Sequence, residues 1–166
     1  VDYDLRRSRL AALRAASPNP TELLTNWSDG RIKLWLTTTA LTFRREHAAL
    51  FADGDYLPLA VIGPSAEHVV AYARRLGDDW AVIVAPRLYG QFAASAGLAV
   101  GEPPVGEVWG ETIVGLPRDA PRSWTNVMTS ETVSVSRSLH VADALGAFPV
   151  GLLGGPPRYG TVLHRG

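Results

Sequence analysis

The chain has 166 residues, 46% of them hydrophobic, with sixteen basic side chains balanced by sixteen acidic ones. Zero net charge removes the electrostatic case for nucleic acid or an anionic membrane as partner. The absence of cysteine rules out disulfides and thiolate zinc sites, and no apolar run reaches the roughly 18 residues of a membrane-spanning helix; the expectation is a soluble, cytoplasmic chain of ordinary domain size.

The start, VDYDLRRSRL, carries charges where a secretory leader needs an apolar core. It has no initiator Met, which suggests a fragment of something longer. Leu5, Leu10, Ala12, Leu13 and Ala16 gather near one face, with Asp2 and Asp4 in the first turn, so residues 2–16 are expected to form an amphipathic helix. Ser17-Pro18-Asn19-Pro20 breaks it, and Asn19 followed by proline suits the start of a short helical turn. Asp29 is placed to cap a long helix running to about Leu50. Ile32, Trp35, Leu36, Thr39, Ala40 and Phe43 form its main stripe, and Leu34 and Leu41 widen it. A face that wide implies contact on more than one side, and nothing further along the chain is spare to cover it.

After Asp53-Gly54-Asp55 the period changes from 3.6 to 2. Strands are expected at 56–62, 68–74 and 80–87, the last with a continuous Ala81-Val82-Ile83-Val84 run that suits a central strand. Residues 88–108, rich in Gly, Pro and Ala, are expected to include a long loop. Further strands are expected at 112–116, 124–128, 132–136 and 148–153, with a helical turn at 141–145 and a fraying tail from Gly154. The whole reads as α+β: N-terminal helices over 1–52, an antiparallel β-sandwich over 53–154, and a tail over 155–166.

Chemistry is sparse. His47, His68, His140 and His164 have no metal-ligand spacing, and no nucleotide-binding or nucleophile-elbow motif occurs, so neither metal nor cofactor is implied. Asp53, Asp55, Asp78, Asp79, Glu107 and Glu111 fall at turns beside glycine or in loops, where acids stay solvated, rather than as the facing pair that glycoside chemistry needs. The five tryptophans invite a sugar-stacking reading against ordinary core packing. Trp35 and Trp80 fit the core. Trp109 and Trp124 border the loop-rich stretch and are the better candidates for exposure, and Trp27 precedes the helix cap, although core packing is the plainer reading of each.

The stretches VDYDLRR, NWSDGRIKLWLT, RREHAALFADGDYLPL, VVAYARR, VWGETIVGLP, SWTNVMT and VADALGAFPVGLL, in this order across almost the whole chain, resemble the C-terminal end of glycoside hydrolase family 13 enzymes. Within that family the chain is similar to the maltooligosyl trehalose synthases, the (1→4)-α-D-glucan 1-α-D-glucosylmutases. The resemblance implies that the long helix is the eighth of a (β/α)₈ barrel. It implies a reaction in which the reducing-end α-1,4 linkage of a malto-oligosaccharide becomes an α,α-1,1 linkage. The Asp nucleophile, the Glu acid/base and the stabilising Asp of that family belong to motifs absent here. The chain alone is therefore expected to be inactive, with no catalytic residue of its own, and to meet substrate only through the rest of its polypeptide. Trp27, Asp29, Arg31 and Lys33, the last the sole lysine, stand where the excursion after the eighth strand would rejoin the barrel. They are candidate substrate contacts, although Asp29 as a cap and Arg31 and Lys33 as surface charges are the plainer reading. Three alternatives stay open: an α-glucan-binding module using Trp109 or Trp124, the corresponding part of another amylase-like hydrolase, or a structural module whose helix face pairs with another chain.

Overall fold

The computed structural model describes residues 2–16, 18–99 and 101–156. The tail expected from Gly154 lies almost wholly outside the described residues.

Four helices come first: α1 (Tyr3–Ala16), α2 (Pro20–Thr25), α3 (Arg31–Glu46) and α4 (Ala48–Ala52). The caps are those the residue types favour. Asp2 Oδ1 accepts from the Leu5 N–H at 2.9 Å, and Asn19 Oδ1 accepts from the Thr21 N–H at 2.9 Å with Pro20 in the first position of α2.

The single helix expected from Asp29 to Leu50 is two. It breaks at His47 (φ −109°, ψ 41°), in a stretch with neither Gly nor Pro. The break is tertiary in origin. The His47 ring lies 4.2 Å from that of Phe43, its Nδ1 is 3.4 Å from Asp79 Oδ2, and the turned α4 delivers the Phe51 carbonyl to Arg74 Nη2 at 2.9 Å. An arginine at the end of α4 satisfies a carbonyl that the helix itself leaves open. Gly54 then carries the chain into the sheet: a Cβ there would lie 2.4 Å from the Leu50 carbonyl oxygen and 2.7 Å from that of Arg75, so only glycine fits.

The strands are β1 (Asp55–Pro58), β2 (Val61–Ile62), β3 (Val69–Leu76), β4 (Asp79–Pro86), β5 (Ile113–Gly115), β6 (Ser123–Asn126), β7 (Thr132–Ser134), β8 (Ser138–His140) and β9 (Gly151–Gly154). They form a six-stranded sheet, β1-β3-β4-β9-β6-β7, and a three-stranded one, β2-β5-β8, with every assigned pair antiparallel. The stretch 56–62 is thus two short strands in different sheets. β8 lies outside the strands expected from sequence. The stretch 88–108 is no plain loop: it holds α5 (Tyr89–Ala96) and a 3₁₀ turn, Gly106–Trp109, while α6 (Val141–Ala144) falls where a helical turn was expected.

β4 is central, as its apolar run implied, and it is covered on both faces. Trp80, Val82 and Val84 enter the main core with Val69, Ala71 and Ala73 of β3, Trp124 and Val133 of β6 and β7, Val114 and Leu139 of the smaller sheet, and Leu153. Ala81 and Ile83 face a second cluster with Leu152, Met128, Phe148 and the α3 stripe of Ile32, Trp35, Leu36, Ala40 and Phe43. One face of the large sheet therefore carries the helices, and the other shares a core with the small sheet. No helix among the described residues is long and apolar enough to cross a membrane.

Candidate functional site

Between α2 and α3 the chain makes a 3₁₀ turn, Trp27–Asp29, and Gly30 follows with φ 79°, a left-handed value that lets Asp29 fold back on the first turn of α3. Asp29 Oδ1 accepts from the Arg31 N–H at 2.8 Å, and its Oδ2 lies 2.7 Å from Arg31 Nε. Arg31 Nη1 reaches Glu22 Oε1 at 2.9 Å, which ties α2 to the start of α3. The Asp29 carbonyl accepts from Arg9 Nη1, tying in α1. The N-cap position of α3 is Gly30, one residue after the expected Asp29, but the Asp29 carboxylate still accepts from the first N–H of the helix.

The electrostatics follow the geometry. The Arg31 backbone N–H, opposed by partial burial and helped by the Arg31 side chain and by Arg9, holds the Asp29 carboxyl below its ordinary range. The Asp29 carboxylate on the Arg31 guanidinium, followed by Glu22, raises Arg31. An acid kept ionised in this way is a poor proton donor, so Asp29 is suited to accept hydrogen bonds and not to general acid work.

The indole of Trp27 is 53% exposed, and its benzo edge rests on the backbone of Gly101, where a Cβ would come within 2.8 Å of Cζ2. Lys33, one turn into α3, is exposed. It lines an open groove of about 870 Å³ between α1 and α3, whose floor includes Leu10, Leu34 and Leu41 and whose rim includes Arg6, Arg9 and Arg45. The structure therefore gathers Trp27, Asp29, Arg31 and Lys33 around one turn. Arg9 and the groove are the part that sequence reading missed. The signal was present in the arginines at 6, 9 and 14 along one helix, next to the apolar residues that drew attention.

Trp109 and Trp124 do not join this site: as candidates for sugar contact both are corrected, and core packing, the plainer reading, is what the structure has. Trp109 is wholly buried, stacked on Phe92 at 4.2 Å and 7° with its Nε1 donating to the Pro104 carbonyl at 2.9 Å. Trp124 is 1% exposed and sits in the main core. The glycines and prolines around Trp109 mark a tight turn over the core, not an open loop. Neither ring face is open to a sugar. Trp80 and Trp35 pack as expected, the latter with its Nε1 3.3 Å from the Met128 carbonyl.

Asp53, Asp55, Asp78, Glu107 and Glu111 are exposed, and Asp79 is half-buried beside His47. Among the described residues no three His, Asp or Glu converge on a point that would hold a metal ion.

No family model matches the chain. Proteins from two strains of Mycobacterium tuberculosis, CDC 1551 and H37Rv, that carry the name maltooligosyl trehalose synthase are 32% identical to it over 134 residues, 81% of this chain. The solved structure of a point mutant of maltooligosyltrehalose synthase from Arthrobacter ramosus superposes on 82% of the chain with a TM-score of 0.56 and 26% identity. The chain spans 13% of the length of those curated relatives and 16% of that solved structure. By sequence and by fold, the chain is a homologue of part of the maltooligosyl trehalose synthases.

Proposed function

We propose that the chain is the C-terminal region of a trehalose-forming glucosylmutase of glycoside hydrolase family 13. In that reaction the reducing-end α-1,4 bond of a malto-oligosaccharide breaks and the released glucose is re-attached through an α,α-1,1 bond on the same enzyme. This chain is the support and not the catalyst. α3 takes the place of the eighth barrel helix, and the two sheets form a sandwich that braces it. Residues 1–52 then belong to the barrel and 53–154 to the β-domain, and the assembled enzyme is cytoplasmic.

The observation that carries this reading is the two-sidedness of α3. Its Trp35–Phe43 face lies on the large sheet, while Leu34 and Leu41, the latter 57% exposed, open into the groove beside α1. An apolar helix face left open is the mark of a surface that another part of a protein covers, and the relatives are several times longer than this chain. Trp27, Asp29, Arg31 and Lys33 serve there as positioning groups at the edge of the substrate channel. The Asp29–Arg31–Glu22 network fixes the turn, and the exposed indole offers a sugar-stacking face.

The test is a pair of incubations with maltopentaose, one of the full-length gene product and one of the 166-residue chain, following reducing ends and free glucose. Loss of reducing ends with little glucose from the first, and no change from the second, is the expected result. A rise in reducing ends in the first would make the protein an amylase-like hydrolase. Any turnover by the second would end the support reading. The glucan-binding-module alternative now rests on Trp27 alone, since burial of Trp109 and Trp124 removes its original candidates. Saturable maltoheptaose binding by the 166-residue chain, abolished by Trp27→Ala, would favour it.

A further inference from the structure

On the far side of the large sheet from the helices, the loop joining β5 to β6 and the loop joining β7 to β8 meet over a hollow of about 510 Å³. Three arginines line it, Arg118 and Arg122 from the first loop and Arg137 from the second. All three are exposed, and their side chains make no hydrogen bond or ion pair with a described residue. The one acid of the first loop, Asp119, turns the other way. Its Oδ2 lies 2.7 Å from Arg75 Nη2, whose guanidinium sits 4.8 Å over the Trp80 ring. Among the described residues the arginines thus have no counter-charge on the hollow's side, in a chain whose net charge is zero.

The backbone around them is firm. Pro117 and Pro121 restrict the first loop, the Ala120 N–H donates to the Pro117 carbonyl at 3.1 Å, and the Val135 N–H donates to the Arg122 carbonyl at 2.8 Å, stitching one loop to the other. A hollow of this size holds a small molecule. Guanidinium groups are weakly hydrated forks that match phosphate oxygens two at a time.

We propose that this hollow binds a small phosphate-bearing ligand, as a site separate from the glucan channel and independent of how α3 is covered. Pyrophosphate is the probe. In the full chain labelled with ¹⁵N, at low ionic strength, pyrophosphate should shift the amides of Ala120, Arg122, Ser136 and Arg137 and the Nε–H signals of the three arginines, with saturation at millimolar concentration or below. Arg122→Gln and Arg137→Gln should each weaken binding about tenfold, the loss of a charge-assisted contact. Arg137→Lys should restore only part, because an ammonium cannot make the two-pronged contact. Asp119→Asn should leave affinity unchanged or raise it. Titration with a sugar monophosphate and with inorganic phosphate then separates a sugar phosphate from the free anion, and an uncharged sugar should shift nothing here. Shifts centred on the α1–α3 groove, affinity unchanged in the R122Q/R137Q double variant, or tighter binding of an acidic peptide than of any small phosphate would each overturn the proposal.

Discussion

The helical region and the β region bury their apolar residues in opposite ways. Among the described residues before 53 the buried hydrophobics are Leu13, Leu23, Phe43 and Leu50, while Tyr3, Leu5, Trp27 and Leu41 stand exposed. After it, residues from both sheets close around one core that takes in Trp80, Trp109 and Trp124 whole. α3 and α4 lay apolar residues on the large sheet, and polar ties at the helix ends add to that contact: Asn19, the Arg9 and Arg31 contacts of Asp29, and Arg74 on the Phe51 carbonyl. The β region closes a core within itself, whereas the helices lay one face on the sheet and leave a groove open beside α1.

Substitutions sharpen the contrast. Trp109→Ala should have the largest effect, because it removes a wholly buried indole, its stack on Phe92 and its bond to Pro104. A loss of about 3–5 kcal/mol in urea unfolding is expected, and a loss under about 1 kcal/mol would mean that the indole is not the keystone of that core. Leu41→Asp separates the regions by context. In the 166-residue chain the side chain is already 57% exposed, so the change should stay within about 0.5 kcal/mol. In the full-length product, where the groove is proposed to be covered, burial of an unpaired carboxylate should cost about 2 kcal/mol or more. Equal effects in both would leave the groove uncovered.

The same division explains what was legible in the sequence. The stripe of α3 and its surplus Leu34 and Leu41 obeyed the helical period, and that surplus is what now lines the groove. The central place of β4 was legible too, because a strand covered on both faces loses its alternation. What escaped depends on contacts distant in the chain. α4 is split off at His47 by Phe43, Asp79 and Arg74, and no local breaker announces it. β8 is three residues long and is a strand through its pairing with β5, where Leu139 stands opposite Val114. Trp109 sat among glycines and prolines that suggested exposure. For Trp124 a cue was available: in β6 the burial alternates, with Trp124 and Asn126 inward, and the Asn126 side chain is spent on the Ala144 carbonyl and the Met128 N–H. Of the proposed site, Trp27, Asp29, Arg31 and Lys33 could be named from the sequence, but Arg9 needed the fold, since twenty residues separate it from Asp29.

Two smaller changes probe the polar ties. Asn19→Ala removes the side-chain acceptor of the Thr21 N–H and should cost about 1 kcal/mol, with Asn19→Asp close to neutral. An alanine variant as stable as the parent would show that the buried Leu23 and the Arg31–Glu22 contact position α2 without the cap.

Asp29→Asn gives the smallest and most specific effect, read through pH. The Asp29 carboxyl is held below its ordinary value when folded, chiefly by the Arg31 N–H. Its contribution is therefore complete above the unfolded-state value of about 4 and is lost as pH falls through the lower folded value. Urea midpoints between neutral pH and pH about 2.5 should fall less steeply for Asp29→Asn than for the parent, because the amide still accepts the Arg31 N–H but has no proton to take up. A parallel pair of curves would mean that the ion pair with Arg31 is screened by solvent and the turn is held by backbone geometry alone. Arg31→Lys distinguishes charge from shape. It keeps the charge but not the fork that joins Asp29 to Glu22, so loss of the acid-dependent stability in that variant assigns the tie between α2 and α3 to the guanidinium's two-sided grip.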